Sequence, residues 1–225
     1  GHLGQFLRHA VCLVNGLFQH PFPCGEINAA GEHGDQGHDD VVDDGSGDLA
    51  ESAADDNADC HVDDIALVYY GQAFLPQYNP GKDENEKLLK KLHDEKKNVE
   101  VYNVAKKILD YNPVSLNALF SIYIASQELG KSDEECLAYL KKYQNIIDMI
   151  CHYGDGKSSD SAFRIITPDD QDYIIYGKLQ IEDVITQTLD TETLCNIVSV
   201  RPSEKFPQQR VYFDLSLFLQ QAARE

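Results

Sequence analysis

The chain has 225 residues, 42% of them hydrophobic, which is enough for a buried core, and its formal net charge is -19. A charge this negative argues against nucleic acid as a partner, because the phosphate backbone binds clusters of Lys and Arg. No uninterrupted apolar run approaches the roughly 20 residues that a membrane-spanning helix needs, and the first residues lack the basic start and cleavage site of a signal peptide.

Composition changes abruptly near residue 62. Residues 1–64 carry 14 acidic residues and one base, Arg8, whereas all 12 Tyr and all 14 Lys lie from Tyr69 onward. Residues 25–64 are dominated by Asp, Gly, Ala and His and show neither a period of 2 nor one of 3.6. Such a segment buries too little apolar surface to fold alone. We therefore expect residues 1–62 to be a low-complexity acidic segment, either disordered or mistranslated.

Metal and redox chemistry have weak support. His33, His38 and His61 lie among many carboxylates, which would allow metal sequestration by the acidic segment, but histidines without fixed spacing rarely form a selective site. No two of the six cysteines have the C-x-x-C spacing of a zinc or redox motif. We expect no metal and no cofactor, and we expect the cysteines of the patterned part to be buried free thiols, namely Cys136, Cys151 and Cys195.

Residues 63–153 are predicted to be helical. The stretch DDIALVYYGQ indicates a short helix that ends at Gly71, and FLPQYNPGKDENE, residues 74–86, has the Pro and Gly of a loop. The next stretch, NVEVYNVAKKILDYNP, has apolar residues at helical spacing. Asn112 is expected to end that helix and to cap the next one, with Pro113 at its first position.

Two further amphipathic helices follow. The first is expected to bury a stripe that includes Gln127 and to end at Gly130, and the second begins with a capping box of Ser132 and Glu135 and ends before Gly154. Short turns make the three helices antiparallel neighbours, and their amino-acid sequence resembles a tetratricopeptide-type helix pair. The predicted main core is Leu116, Leu119, Phe120, Tyr123, Leu140, Tyr143 and Ile147.

Residues 154–225 are predicted to form a small β-rich region with short helices, packed on the helical region as one domain. AFRIIT, DVITQTL, LCNIVSV and RVYFDLS have the composition of strands, DYIIYG completes a short helix, and LSLFLQQAARE indicates a final helix. The fold class is therefore α+β, with a tetratricopeptide-like helical hairpin region followed by a small, mostly antiparallel sheet.

The Gly-Lys-Ser of residues 156–158 resembles the end of a phosphate-binding loop. The full motif needs a glycine where Cys151 stands, and it needs a preceding strand, whereas a helix precedes it here. A calcium loop beginning at Asp155 would place Lys157 at a ligand position. We expect no nucleotide, and we interpret Gly154 as a left-handed helix stop followed by a tight turn at Asp155-Gly156.

Few residues qualify as catalytic. Cys151 and His152 are adjacent on a helix and point about 100° apart, so they do not face each other. Tyr69 and Tyr70 either line a recognition surface or lie half-buried at a helix end. No catalytic set stands out, and the weak candidates are Asp155, His152, Tyr69 and Tyr70.

Four stretches in this order resemble one bacterial family: LVYYGQAFLPQYNP, ILDYNPVSLNAL, YGDGKSSDSAFRIITPDDQDY and VYFDL. The family is a domain of unknown function, similar to DUF4919, found mostly in Bacteroides-like bacteria, and the resemblance covers about residues 62–219. Its members usually carry a signal peptide, which implies an envelope or periplasmic location. The resemblance implies no activity and no catalytic residues.

Upstream of residue 62 the chain departs from that family, whose members continue with a helical segment and a stretch similar to Asp-Thr-Thr-Leu-Thr. Shifting the codons of residues 56–60 by one nucleotide permits Thr-Thr-Leu-Thr-Val. We hypothesise that much of residues 1–60 is a frameshifted reading, and the alternative is a genuine acidic tail. The encoding DNA distinguishes the two.

Two functions remain open. The leading one is a non-catalytic envelope protein that binds a protein partner through a helical scaffold. The alternative is a hydrolase whose site lies between the YYGQ and GDG loops and uses Asp155, His152 and a Tyr. That alternative requires the two loops to meet at a pocket with a carboxylate and a His in hydrogen-bond reach.

Overall fold

The computed structural model describes residues 61–79 and 81–223. Our predictions for residues 1–60 lie outside the described residues. The described part contains seven helices, one of them continued as a π-helix, and a four-stranded sheet, which confirms the α+β class. The elements are α1 (Val62–Gln72), α2 (Glu84–Asp94), α3 (Asn98–Tyr111), α4 (Leu116–Glu128), α5 (Asp133–Tyr153), β1 (Phe163–Arg164), α6 (Asp170–Asp172) continued by the π-helix (Tyr173–Lys178), β2 (Val184–Asp190), β3 (Cys195–Val200), β4 (Arg210–Asp214) and α7 (Ser216–Ala222).

Helix α2 begins where a loop was expected, so the loop prediction for residues 74–86 is wrong over its last three residues. Asp83 caps the helix, because its Oδ1 accepts hydrogen bonds from the backbone amides of Asn85 and Glu86 at 2.8 and 3.3 Å. Leu89 and Leu92 are buried. Leu88, Leu89 and Leu92 do repeat at helical spacing, so the error concerns the start of the helix, which the Asp83 cap places before the first leucine.

Two predicted helix ends are also wrong. Ser115, not Asn112, caps α4, and its Oγ accepts a hydrogen bond from the Ala118 amide at 3.1 Å. Asn112 does end α3, as predicted. A serine hydroxyl is a good N-cap acceptor, so the chain uses it after a short turn. Gly71 lies inside α1, which continues to Gln72.

The predicted capping box of α5 is half present. The Ser132 Oγ accepts a hydrogen bond from the Glu135 amide at 3.3 Å, as expected of an N-cap. The Glu135 carboxylate, however, accepts a hydrogen bond from the Tyr102 hydroxyl at 2.6 Å and so links α5 to α3. Gln127, predicted on the buried stripe of α4, is exposed, whereas Ala125 and Ser126 of the same turn are buried, so Gln127 lies on the solvent face of the helix.

The core joins the helices to the C-terminal region. All seven predicted core residues are buried, and they belong to a cluster that also contains residues of the sheet and the π-helix. At its centre, the Phe120 ring lies 5.4 Å from the Tyr143 ring and 5.9 Å from the Tyr173 ring, measured between centroids. Aromatic contacts of this kind stabilise a core beyond simple area burial.

The sheet has the order β1-β4-β3-β2 and is mostly antiparallel, as predicted: only the β1–β4 pairing is parallel. The predicted strand AFRIIT is reduced to the two residues of β1. The predicted helix DYIIYG is present as the π-helix. Within the described ranges, no helix has the length and apolar composition that a membrane crossing requires.

Replacing Phe120 by alanine is expected to lower the free energy of unfolding by about 3 kcal/mol, because the ring is buried among other aromatic rings. Urea denaturation would measure the loss. Leu137→Ala on α5 is the control, since Leu137 is 48% exposed, and a change within about 0.5 kcal/mol is expected there. A loss of less than about 1 kcal/mol for Phe120→Ala would contradict its role in the core.

Candidate functional site

A polar cleft opens between α2, the start of α4 and residues 166–170. Its volume is about 130 Å³, which is smaller than the several hundred Å³ of sites for drug-sized ligands. We call it the acidic cleft, and the lining residues that matter here are Gln72, Tyr78, Asp83, Glu86, Lys87, Lys90, Asn112, Asp169 and Asp170. A cleft of this size suits one side chain or a small polar ligand.

Asp170 is the buried carboxyl group of the cleft, with 4% of its surface exposed. It follows the turn at Thr167 and Pro168 that starts α6. Its Oδ2 accepts a hydrogen bond from the Tyr69 hydroxyl at 2.6 Å, and that hydroxyl accepts one from the Ile166 amide at 3.3 Å. Burial raises the pKa of Asp170 to about 8, although the Tyr69 hydrogen bond opposes the shift. Asp170 is therefore largely protonated at neutral pH.

Glu86 is the second carboxyl group and comes from the first turn of α2. Its Oε1 accepts a hydrogen bond from the Ser115 hydroxyl at 2.7 Å, and its Oε2 accepts one from Asn117 Nδ2 at 2.5 Å. Burial raises the pKa of Glu86, while these two hydrogen bonds lower it. The Asn117 Oδ1 accepts a hydrogen bond from the Tyr173 hydroxyl at 3.1 Å. The position of Glu86 is thus fixed from both α4 and the π-helix.

The lysines of the cleft are paired with other acids. Lys87 Nζ lies 2.7 Å from Glu84, and Lys90 Nζ lies 2.7 Å from Asp169. Across residues 61–79 and 81–223, neither Glu86 nor Asp170 forms an ion pair. Carboxyl groups removed from water normally acquire a cation or stay protonated. The cleft therefore has two carboxyl groups without a counter-ion.

The cleft also contains an acceptor that is not used. Asn112 lies on its wall, and the Oδ1 of that side chain is buried with no hydrogen-bond partner among the described residues. Nearby, Gln72 Nε2 donates to the Tyr111 carbonyl at 3.2 Å, and the Tyr78 hydroxyl donates to the Ile166 carbonyl. The Gln72 and Tyr78 donors are therefore bonded within the protein, whereas the buried Asn112 Oδ1 acceptor is not. A ligand rich in hydrogen-bond donors would complement this wall.

Metal ligation has no geometric support in the described ranges. There, no group of three or more His, Cys, Asp or Glu side chains is arranged to hold a metal ion. Divalent cations need several oxygen, nitrogen or sulfur ligands at close range.

The candidate tyrosines are adjacent on α1, with ring centroids 5.1 Å apart, but their hydroxyl groups reach different partners. Tyr69 is fully buried and contacts Asp170, and burial followed by the Asp170 charge raises its pKa. The Tyr70 hydroxyl donates to the Arg164 carbonyl at 3.4 Å, and burial raises its pKa to about 12. Tyr70 lines a second cleft of about 370 Å³, together with Tyr153, Asp160, Arg164 and Asp214. Only Tyr69 therefore reaches a carboxyl group of the acidic cleft.

The structure does not bring His152 and Asp155 together. His152 is exposed, and its ring contacts the Tyr153 ring with centroids 5.1 Å apart. The Asp155 Oδ1 accepts a hydrogen bond from the Ser161 hydroxyl at 2.6 Å, and with the Lys157 contacts this lowers its pKa to about 2. No hydrogen bond joins His152 to Asp155 in the described part of the chain. Neither residue lines the second cleft.

The GDG loop has a structural role. Gly154 has φ -157° and ψ 153°, so the predicted left-handed helix stop is wrong at this residue, and the left-handed conformation is found at Gly156 with φ 68°. The amides of Asp155 and Gly156 both donate to the Ser161 carbonyl, at 2.9 and 2.8 Å. The Gly156 carbonyl accepts from the Tyr212 amide of β4 at 2.9 Å. These bonds attach the loop to the sheet.

The three cysteines of the described part are free thiols. Cys136 and Cys195 are buried, as predicted, whereas Cys151 is only partly buried. Burial raises the pKa of Cys151 to about 11, and a thiol with such a pKa is a poor nucleophile at neutral pH.

Sequence reasoning missed both carboxyl groups of the acidic cleft. Asp170 stands in TPDD, where an acidic residue in a first helical turn needs no further explanation, and Glu86 stands in the stretch interpreted as a loop. Their burial depends on contacts with residues far along the chain, such as Tyr69 and Asn117. Nothing local in the sequence indicates it.

A family model described as Domain of unknown function (DUF4919) matches residues 49–224. The match begins at residue 49, whereas the resemblance of the motifs begins near residue 62. The family therefore also includes the end of the acidic segment. No curated protein and no solved structure matches the chain.

Proposed function

The chain belongs to the DUF4919 family, which has no assigned activity, and we propose that it is a non-catalytic envelope protein that binds a protein partner through the acidic cleft. The ligand is a lysine side chain of that partner. The envelope location follows from the resemblance to a family of exported proteins, and the helical hairpins α3–α4 and α4–α5 serve as a tetratricopeptide-like scaffold.

One observation carries this proposal: neither Glu86 nor Asp170 forms an ion pair with a described residue, although Asp170 is buried and Glu86 is partly buried. An ammonium group placed between them would supply the missing charge and would favour the ionised form of both carboxyl groups. It would also donate a hydrogen bond to the unpaired Oδ1 of Asn112. An uncharged donor could bind the Asn112 Oδ1, but it would not supply the positive charge.

The size of the cleft favours lysine over a larger cation. A volume of about 130 Å³ accommodates a four-carbon chain with an ammonium end. Lysine carries its charge at a compact point, whereas the planar guanidinium of arginine is wider and demands paired acceptors. The phenol ring of Tyr78 and the aliphatic side chain of Val114 line the cleft and would contact the methylene groups.

The proposal is tested with Nα-acetyl-lysine amide as the probe and Nα-acetyl-norleucine amide as its uncharged counterpart. We expect the lysine amide to bind with a millimolar dissociation constant, as befits about a dozen ligand atoms, and the norleucine amide not to bind. Amide chemical shifts in a ¹H–¹⁵N spectrum of the full chain would report both. The shifts should be largest at residues that line the acidic cleft.

Matched variants locate the site. Glu86→Gln should weaken lysine binding at least tenfold, because it removes one of the two carboxylates. Glu134→Gln, at an exposed position of α5 that does not line the acidic cleft, should leave the affinity unchanged. Equal binding of the lysine and norleucine amides would contradict the proposal, as would equal effects of the two variants. Stronger binding of Nα-acetyl-arginine amide would overturn the choice of lysine.

The hydrolase alternative has less support. Tyr70 and Ser159 do line one cleft between α1 and the GDG loop, as that alternative requires. Its carboxylate Asp214, however, is engaged by Arg164 at 2.7 Å, and no histidine lines the cleft. The other carboxylate of this cleft, Asp160, is exposed, and the cleft lacks the carboxylate–histidine pair that this alternative requires.

A further inference from the structure

Strand β2 forms one edge of the sheet. It pairs only with β3, and its five central residues, 185–189, are all exposed. Ile185 is 67% exposed and Leu189 is 43% exposed. Within the described residues nothing pairs with its outer side, so that side presents a row of backbone donors and acceptors to solvent.

The usual protection of an edge strand is lacking in β2. Edge strands are commonly shielded by lysine, proline, shortness or a bulge. β2 is seven residues long, with the sequence VITQTLD, and its only charged residue is the last one, Asp190. A bulge between Val184 and Thr186 disturbs the pairing with β3 at one end only. The rest of the strand remains regular and available for pairing.

The sequence of β2 is self-complementary about Gln187. In an antiparallel pair of two copies with the twofold axis at Gln187, Thr186 lies opposite Thr188 of the second copy. In the same register, Ile185 lies opposite Leu189 of the second copy, and Gln187 meets its own counterpart. Threonine pairs and aliphatic pairs both stabilise neighbouring strands, so every central position meets a compatible residue.

The charged residue within β2 does not oppose this register. Asp190 lies opposite Val184 of the second copy, so the two Asp190 side chains stay apart. Asp183, just before the strand, is paired with Arg201 at 2.9 Å. Within the strand, like charges therefore do not face each other across the axis. Just beyond its ends, Glu182 lies opposite Glu192 of the second copy, which weakens the pairing.

We propose that β2 binds β2 of a second copy of this chain, so that the two sheets join into one continuous sheet across a twofold axis. This interface goes beyond the proposed function, because β2 does not line the acidic cleft. A contact through one strand from each copy buries less area than stable complexes do. The dimer is therefore weak and reversible, and each copy keeps its cleft open.

Sedimentation velocity of the full 225-residue chain over a wide concentration range tests the proposal with two matched variants. Thr186→Lys with Thr188→Lys places lysine opposite lysine twice and should leave only monomer. Thr186→Lys with Thr188→Glu places lysine opposite glutamate twice and should dimerise at least as strongly as the unaltered chain. Both positions are exposed, and thermal melting verifies that both variants fold.

Each result of these measurements either supports or overturns pairing of β2 with a second copy. Monomer at all concentrations of the unaltered chain overturns the proposal, and so does a dimer that persists with two lysines. Loss of the dimer in both variants overturns the register. An independent measurement on the unaltered chain is hydrogen exchange of the amides of residues 185–189, which should slow as the concentration rises. Exchange independent of concentration contradicts pairing through this edge, and capture of an unrelated peptide in place of a second copy overturns the choice of partner.

Discussion

Replacing Asp170 by asparagine is expected to stabilise the protein increasingly as the pH rises from about 4 to about 8. The pKa of Asp170 is raised to about 8 in the folded chain, whereas an unfolded aspartate titrates near 4. Between these values the folded state binds more protons than the unfolded state, so the stability of the unaltered chain falls as pH rises. Asparagine keeps an acceptor for the Tyr69 hydroxyl and does not ionise. The gain should reach a few kcal/mol at pH 8.

Urea denaturation of both chains at several pH values would measure this difference. Asp110→Asn is the matched control, because Asp110 is exposed on α3 and does not line the acidic cleft. Its stability relative to the unaltered chain should stay nearly constant over the same range. Parallel pH profiles for Asp170→Asn and the unaltered chain would show that Asp170 is ionised in the folded state.

Replacing Gly154 by alanine is expected to lower the free energy of unfolding by about 2–3 kcal/mol, as overpacking in a fixed environment does. The reason is space, since a Cβ at this position would lie 2.5 Å from the Ala162 carbonyl oxygen and 3.0 Å from that of Ser161. Both are backbone atoms and cannot rotate away. Gly156→Ala should also destabilise, because its φ of 68° disfavours a side chain and its Cβ would lie 2.3 Å from the buried Phe163 ring.

Gly71→Ala is the control for these substitutions. Gly71 lies within α1, and nothing approaches within 4 Å of the position that a Cβ would take. Alanine should therefore raise the stability there by about 0.5–1 kcal/mol, since it costs less entropy in a helix than glycine does. Differential scanning calorimetry would compare the variants. A Gly154→Ala protein as stable as the unaltered chain would show that the loop can move away from Ala162.

Elements with a strong local pattern were predicted well from the sequence. The faces of α3, α4 and α5 repeat apolar residues at helical spacing, and Phe120 and Tyr143 lie in the core as expected. Strands β2, β3 and β4 alternate or are rich in β-branched residues. The family was recognised from short stretches that keep their order, which the match over residues 49–224 confirms.

Features that depend on distant contacts were not predicted. Helix α2 has few apolar anchors, so its burial becomes visible only when it packs on α3 and α4. The sequence predicts a left-handed conformation at Gly154, because glycine often ends helices that way. In the structure, glycine is required there for a different reason, since the Ala162 backbone leaves no space for a Cβ. The acidic cleft combines Tyr69, Glu86 and Asp170 from three separate segments, and no spacing in the sequence relates them.

The proposed function requires a cation to bind between the two carboxyl groups of the acidic cleft. Titration calorimetry with Nα-acetyl-lysine amide at pH 7, in buffers of different ionisation enthalpy, counts the protons exchanged on binding. We predict that the unaltered chain releases a substantial fraction of a proton, because the bound ammonium group lowers the pKa of Asp170 from about 8, and that Asp170→Asn releases much less. Binding without proton release, or no binding of the lysine amide, would contradict the account.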